Sequence, residues 1–229
     1  MQLFYKNKKK NCFKKTFRAN LNCNQLIHCN IVLGHSIKEY KRNIAKYFLA
    51  IYNNNIIFNH FWSFSVLKKN LLFLINIFLK NHLICLFTSN GDFILRKKIM
   101  YRHRIIMISN EKWPKGLLTN FKTYWDDKIF IVNKHKKKLF LPTFIFINNW
   151  FTKDLNGTLN EIKRLSFPSA IVVDSNIVYY NNNINNILYL IPGSDNSGAF
   201  SAYYYKLAIK SKIHSSILLK NKIIHYLKY

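Results

Sequence analysis

The sequence predicts an α/β fold, a three-layer sandwich with a mainly parallel central sheet flanked by helices. Three observations indicate it. Short, wholly apolar runs such as residues 83–87 recur, which is typical of parallel strands buried on both faces. Segments with helical spacing lie between these runs, and repeated strand–helix–strand units build parallel sheets. Hydrophobic residues make up 49% of the 229 residues, which is enough for a sizeable core.

The first predicted elements are a hairpin and a long helix. Residues 46–52 and 56–58 are aromatic and β-branched, and the three asparagines between them predict a turn joining two strands. In residues 65–81 the apolar side chains recur at helical spacing. Ser65 is positioned to cap the amino end of that helix.

The remaining elements alternate between buried strands and helices. Apolar runs predict strands at residues 83–87, 105–108 and 170–173, and a longer run at 139–147 is compatible with a strand. Residues 92–101 and 197–212 predict helices, and the polar stretch 181–186 predicts a loop.

The sandwich is expected to occupy residues 31–212 and to carry a basic extension at each end. Residues 1–30 contain seven Lys and Arg and no acid, and they lack a clear apolar period. Residues 213–229 form a basic C-terminal tail. Within the sandwich the periodicity weakens at residues 121–167, which we treat as a diverged insertion region.

The net charge predicts a polyanionic partner. The chain carries 36 Lys and Arg against 9 Asp and Glu, a formal charge of +27. Self-repulsion at this charge opposes folding unless a polyanion neutralises it. Phe, Ile, Lys, Asn and Tyr make up more than half of the chain, and A/T-rich codons specify all five. The composition therefore indicates an AT-rich genome such as an organelle's, so that many Lys and Asn residues reflect the genome.

The sequence offers no catalytic or cofactor-binding constellation. Neither the G-x-G-x-x-G pattern nor the P-loop pattern occurs among its six glycines. Asp126 and Asp127 are the only adjacent carboxylates, and sequence neighbours point to different faces of a helix or strand. The eight histidines are scattered. We expect no enzyme activity, no cofactor, no metal and no small-molecule substrate.

The cysteines and the apolar runs point to a reduced protein outside the membrane. Cys12, Cys23, His28 and Cys29 form one conceivable zinc site, but their spacing is unusual, and free thiols are the favoured interpretation. No apolar run approaches the ~18–20 residues of a spanning helix. The Lys-rich start also lacks the apolar segment of a secretory signal. We expect no membrane span and no homo-oligomer.

Four short motifs stand out because their residues resist the AT-rich drift. They are Gly34-His35, the WPKGLLTNF run at residues 113–121, the PSAIVVD run at 168–174 and the IPGSD run at 191–195. In this order they resemble the second universal protein of the small ribosomal subunit. The resemblance spans roughly residues 31–212, as anchors separated by diverged sequence.

The resemblance implies a structural ribosomal protein without a catalytic role. Such a protein lies at the back of the small subunit, where head and body meet, and contacts small-subunit rRNA and neighbouring small-subunit ribosomal proteins. The departures from the family pattern include Tyr40 in place of Trp and Ser169 in place of Asp. The helical-hairpin insertion of the family is reduced or altered at residues 121–167, and one α/β unit before Ile191 is missing or reduced. This erosion resembles a mitochondrial, organelle-encoded member located in the matrix.

Most motif residues are expected to shape the fold. A glycine in a turn permits backbone geometry or a close approach that a side chain would block. Thr119 or Asn120 can cap the segment that follows, and Asp195 or Ser197 can cap the last helix. The structural set is Gly34, Trp113, Gly116, Thr119, Asn120, Pro168, Asp174, Pro192, Gly193 and Asp195.

Binding is expected to rest on cations that neutralise RNA phosphates and release counterions. A lysine run is usually a solvated face, but at +27 that explanation is inadequate. The candidate rRNA-binding residues are Lys8, Lys9, Lys10, Lys14, Lys15, Arg18, His35, Lys38, Lys41, Arg42, Arg102, Arg104, Lys115, Lys122, Lys136, Lys137, Lys206, Lys210 and Lys212.

Two other classes of protein remain open on the sequence. An organelle-encoded maturase or endonuclease fragment shares the charge and the composition, but it should show a carboxylate pair or a His-rich site. A peripheral factor on an anionic membrane requires a long amphipathic basic helix, for which residues 208–229 are the candidate.

Overall fold

A computed structural model describes residues 23–39, 42–88, 103–109, 116–120, 142–148, 155–176, 187–194 and 197–226. In these residues a five-stranded parallel sheet carries helices on both faces, next to a three-stranded antiparallel sheet. The predicted α/β sandwich is confirmed. The helix predicted at residues 92–101 and the loop predicted at 181–186 lie outside the described residues.

Eight strands and four helices are described. The strands are β1 (Leu33–Ser36), β2 (Phe48–Tyr52), β3 (Asn55–Phe58), β4 (Ile84–Thr88), β5 (Ile105–Ser109), β6 (Phe144–Ile147), β7 (Ser169–Val173) and β8 (Tyr189–Pro192). The helices are α1 (Cys23–His28), α2 (His60–Leu79), α3 (Leu155–Arg164) and α4 (Gly198–Tyr226), and two 3₁₀ segments span Ile37–Glu39 and Arg42–Tyr47.

The large sheet has the strand order β5-β4-β6-β7-β8, and every neighbouring pair is parallel. The chain adds β5 on one side of β4 and then returns to place β6 on the other side. The strands predicted at residues 83–87, 105–108 and 170–173 are confirmed as β4, β5 and β7. Their carboxyl ends all lie along one edge of the sheet, which we call the upper edge.

The predicted hairpin is also confirmed. β2 and β3 pair antiparallel, and β3 pairs with β1 on its other side. Asn53 and Asn54 form the turn with φ angles of 46° and 61°. Two left-handed residues in a row fit a two-residue hairpin turn, and asparagine tolerates that conformation better than most residues. This accounts for asparagines at the tip.

The two faces of the large sheet bury separate hydrophobic clusters. Alternate residues of a strand face opposite sides, so each strand contributes to both clusters. On one side, α2 and α4 pack on the sheet, and Leu71 and Tyr204 are fully buried there. On the other side, Ile145 packs with Ile162 of α3 and with Phe58 of the small sheet. The three layers of the predicted sandwich are therefore present.

The first turn of α2 corrects one prediction. The helix begins at His60, with the side chain of Asn59 accepting a hydrogen bond from Phe61 N at 3.1 Å. Ser65 lies inside the helix, so its predicted role as the cap is wrong. Phe61 and Trp62 are exposed in this turn, and they obscure the apolar period by which sequence analysis locates a helix.

The last helix begins as predicted but is longer. The Ser197 hydroxyl oxygen accepts a hydrogen bond from Phe200 N at 3.0 Å, which confirms Ser197 as a cap. The same hydroxyl donates to Cys29 O and ties α4 to the segment that follows α1. The helix continues to Tyr226, well past the predicted end at residue 212, because no Gly or Pro interrupts the sequence there.

One helix in the described part of the chain, α2, is long and apolar enough to cross a membrane by length and composition. A core helix of a soluble protein meets the same criteria, so the observation is weak evidence for a span. In this structure Leu67, Leu71 and Leu74 of α2 are fully buried in the core. The buried Asn70 accepts a hydrogen bond from the Tyr204 hydroxyl at 2.6 Å.

Candidate nucleic-acid interface

Two of the sequence motifs meet at the upper edge of the sheet, although 139 positions separate Gly34-His35 from Asp174. Asp174 follows β7 and is fully buried. Its Oδ2 lies 3.5 Å from His35 Nε2, while His35 Nδ1 lies 3.3 Å from Glu39 Oε2. The backbone N–H of His35 donates to the Ser175 hydroxyl at 2.9 Å, and that hydroxyl donates to Asp174 Oδ1 at 3.0 Å.

Gly34 allows this approach between β1 and the end of β7. A Cβ atom at residue 34 would lie 2.9 Å from Phe58 Cε2, 3.0 Å from Ser175 Oγ and 3.2 Å from Asp174 Oδ1. Each distance is shorter than ordinary van der Waals contact. The glycine of the first motif is therefore required by Phe58 of β3 and by the Asp174-Ser175 segment that ends the third motif.

The fourth motif joins the same region. Gly193 follows β8, and its N–H donates to Val173 O at 2.9 Å, while Ser194 N donates to Ile31 O at 2.8 Å. A Cβ atom at residue 193 would lie 2.2 Å from Ile31 Cγ1 and 2.8 Å from Ile31 O. Ser63 of α2 donates to Pro192 O at 2.5 Å. We call Gly34, His35, Asp174, Ser175 and Gly193 the strand-end joint.

The second motif is held by a carboxylate on the face of the sheet that carries α3. Glu161 of α3 is buried, and its two oxygens accept hydrogen bonds from Gly116 N at 2.6 Å and Leu118 N at 2.8 Å. Gly116 has a φ of 84°, which favours glycine, and Asn120 N donates to Gly116 O at 2.7 Å. Leu117 and Leu118 are thereby buried in the core. We call residues 116–118 with Glu161 the carboxylate-held turn.

Sequence reasoning missed Glu161 and Ser175. The partners of Glu161 are backbone N–H groups, which leave no trace in the side-chain pattern. Ser175 directly follows the motif at residues 168–174. Its polar side chain just beyond a buried strand was the one sequence signal that could have identified it. Pro168 precedes β7, and Thr119 and Asn120 are exposed. Trp113 and Asp195 lie outside the described residues.

The predicted rRNA-binding residues with described side chains number six, and they lie in different surroundings. Lys38, Arg104, Lys206 and Lys210 are exposed. His35 belongs to the strand-end joint, where carboxylates face both of its ring nitrogens. Lys212 is half-buried, with its Nζ 5.6 Å from the centroid of the Phe78 ring. The RNA-binding roles of all six stay predictions.

The side chains of the other predicted cations lie outside the described part of the structure. Only the backbone of Arg42 is described, in a 3₁₀ segment. Outside the described residues lie Lys8, Lys9, Lys10, Lys14, Lys15, Arg18, Lys41, Arg102, Lys115, Lys122, Lys136 and Lys137.

The described cysteines are free thiols. Burial raises the pKa of the Cys85 thiol far above its usual range, and partial burial raises the pKa of Cys29 while the nearby Lys206 charge opposes that shift. Within the described ranges no three His, Cys, Asp or Glu side chains gather as metal ligands would. Cys12 of the conceivable zinc set lies outside those ranges.

The fold and this arrangement define a class: a strongly basic α/β protein in which three motifs meet at the upper edge of the sheet and the cations of the described residues lie mostly at the surface. No family model matches the chain. The sequence is 26% identical over 211 residues to the small ribosomal subunit protein uS2m of Acanthamoeba castellanii. The match covers 90% of this chain and 62% of the relative, so the chain spans less than two thirds of the relative's length. The resemblance indicated by the four motifs is confirmed: the chain is similar in sequence to a mitochondrial uS2 protein.

Proposed function

We propose that the protein is a structural constituent of the mitochondrial small ribosomal subunit, located in the matrix, and that it has no catalytic role. The observation that carries the proposal is the match to uS2m along 90% of the chain. The strand-end joint supports it, because three of the four motifs of the resemblance meet there in space. Small-subunit rRNA and neighbouring small-subunit proteins are the proposed partners.

The distribution of charge supports rRNA as one partner. The three carboxylates of the described residues, Glu39, Glu161 and Asp174, all contact groups of the protein itself. The exposed cations face solvent on two elements, with Lys38 on the first 3₁₀ segment and Lys206 and Lys210 on α4. Folded RNA is recognised mainly through shape and phosphate contacts, so cations spread over a rigid body suit it.

An apolar surface supports a neighbouring protein as the second partner. β2 lies at an edge of the small sheet, and none of its residues is charged or proline. Natural edge strands usually carry charges or proline to prevent pairing with another chain. The exposed apolar side chains of this strand, which we call the β2 patch, are Leu49, Ile51 and Tyr52, each 57–64% exposed.

The decisive experiment follows a tagged copy of the protein through a sucrose gradient of organelle lysate. We expect salt-resistant co-migration with the small subunit. We also expect the purified chain to bind small-subunit rRNA with steep salt dependence and to hydrolyse no nucleotide. Migration at the top of the gradient with a nuclease activity in that fraction would contradict the proposal.

The β2 patch can be tested separately with two substitutions of isoleucine by glutamine, which leave the net charge unchanged. Ile51→Gln alters the patch, while Ile213→Gln alters an isoleucine of α4 that is also exposed. We expect Ile51→Gln to reduce incorporation into the subunit several-fold, with RNA binding of the purified chain unchanged. Equal incorporation of the two variants would show that the patch contacts no protein.

A further inference from the structure

Two cations from distant parts of the sequence meet at the carboxyl end of α2. Arg104, just before β5, donates from Nη1 to Asn81 O at 2.6 Å. Lys212 of α4 places its Nζ 5.6 Å from the centroid of the Phe78 ring. Asn81 N donates to Phe78 O at 3.1 Å, so both cations rest on the same last turn of α2.

This arrangement brings like charges together. Burial lowers the pKa of Lys212, and the nearby Arg104 charge lowers it further. Exposed Lys80 and His82 lie on the same turn and in the segment that follows it. The carboxylates in the described part of the chain lie elsewhere, in the strand-end joint with Glu39 and in the carboxylate-held turn.

Helix geometry accounts for part of this arrangement. The last carbonyls of a helix lack intrahelical partners and carry partial negative charge, so a cation such as Arg104 stabilises them. That does not explain why the half-buried Lys212 lies beside a second cation. Repulsion between the two opposes folding of the free protein, and an anion bound between them would remove it.

We propose that Arg104 and Lys212 together bind one phosphate of the RNA backbone, at the edge of the sheet opposite the strand-end joint. The proposal rests on the proposed function, since it takes RNA as the ligand. Arg104 has five N–H donors, of which one bonds Asn81, and the Lys212 ammonium has three. The exposed Lys80 and His82 lie beside these two cations and can donate hydrogen bonds to the neighbouring phosphates of the RNA. The strand-end joint would then hold the sheet while the opposite edge contacts RNA.

The test measures binding of the full chain to an in vitro transcript of mitochondrial small-subunit rRNA at KCl concentrations from about 50 to about 300 mM. At these concentrations the Debye length is on the order of 10 Å. The site variant is R104Q/K212Q. Its matched control is K69Q/R164Q, which removes one exposed lysine and one exposed arginine that lie outside the predicted rRNA-binding set. Each lost phosphate contact lowers the slope of log affinity against log salt by about 1, so we expect a fall of about 1 in the site variant, which loses one phosphate. The slope measured for the control variant should fall by less than half as much.

Further variants separate binding from folding. Arg104→Gln removes the hydrogen bond to Asn81 O, so thermal unfolding of each variant is compared with that of the unsubstituted chain. Lys212→Arg keeps the charge and should keep the slope. Equal falls in the site variant and the control would overturn the proposal.

Other outcomes distinguish this site from the proposed function. If the unsubstituted chain shows no salt-dependent RNA binding, the proposed function fails as well. If R104Q/K212Q binds RNA normally but fails to enter the subunit, the two cations contact a protein carboxylate and the phosphate site is wrong.

Discussion

The strand-end joint and the carboxylate-held turn both depend on a buried acid, but the acids have different partners. Asp174 faces a histidine ring and accepts from the hydroxyl and the backbone N–H of the adjacent Ser175, whereas Glu161 accepts two backbone N–H groups of a distant turn. Asp174 bonds the residue next to it, while Glu161 of α3 bonds backbone N–H groups 45 and 43 positions earlier in the chain and so joins two separate segments. The comparison indicates that the turn depends on its acid more than the joint does, and that the joint depends on its glycines.

The largest expected effect is at a glycine of the joint. In Gly193→Ala the new Cβ would lie 2.2 Å from Ile31 Cγ1 and 2.8 Å from Ile31 O, so the backbone of β8 or of residue 31 must shift. Overpacking and backbone strain together should lower the free energy of unfolding by about 3–5 kcal/mol. Urea denaturation measures it.

Gly198→Ala is the control for this prediction. A Cβ atom at residue 198, the first residue of α4, would meet nothing within 4 Å. That variant should be neutral or more stable by up to about 1 kcal/mol. If both alanine variants are equally stable, close approach at Gly193 does not hold the joint together.

The second prediction concerns the carboxylate-held turn. Glu161→Gln keeps the shape of the side chain but directs an amide N–H₂ at one of the two backbone donors. Loss of a charge-assisted bond and one unsatisfied buried N–H should cost about 2–4 kcal/mol in the free energy of unfolding. Arg164→Gln, at an exposed position of the same helix, should change it by less than about 0.5 kcal/mol. If Glu161→Gln changes the free energy of unfolding as little as Arg164→Gln does, Glu161 does not hold the turn.

These two sites also show what the sequence could predict. The strands and the hairpin were predictable because apolar runs and consecutive asparagines are local signals of strands and turns. Gly34, Asp174 and Gly193 were found through their motifs. The motifs gave no indication that the three residues contact one another, because contact depends on the strand order of the sheet.

The parts that were missed depend on tertiary packing. Leu26 of α1 is fully buried in the core although it lies in the segment 1–30, where the sequence shows no apolar period. Lys206, Lys210 and Lys212 looked equivalent in the sequence, but packing of α4 turns Lys212 onto Phe78 and leaves the other two exposed. In a chain rich in lysine, burial rather than residue type separates these roles.

The third prediction tests the joint through its acid. Asp174→Asn retains an oxygen that can accept from Ser175, and it replaces the oxygen facing His35 with an amide. We expect a loss of about 1–2 kcal/mol in the free energy of unfolding, smaller than that of Glu161→Gln. The double variant His35→Gln/Asp174→Asn should lose less than the sum of the single losses, because the two side chains interact. A larger loss for Asp174→Asn than for Glu161→Gln would reverse the comparison.

The smallest effect is expected at the exposed acid beside the joint. Glu39 Oε2 lies 3.3 Å from His35 Nδ1, but the Glu39 side chain is 55% exposed. Water and salt screen such a pair, so Glu39→Gln should change the free energy of unfolding by less than about 0.5 kcal/mol. The small difference should disappear at high salt, whereas the cost of Glu161→Gln should persist, because burial protects that carboxylate from screening. A Glu39→Gln loss comparable to that of Asp174→Asn would mean that the joint is held from its exposed side, and that burial does not rank the carboxylates of this protein.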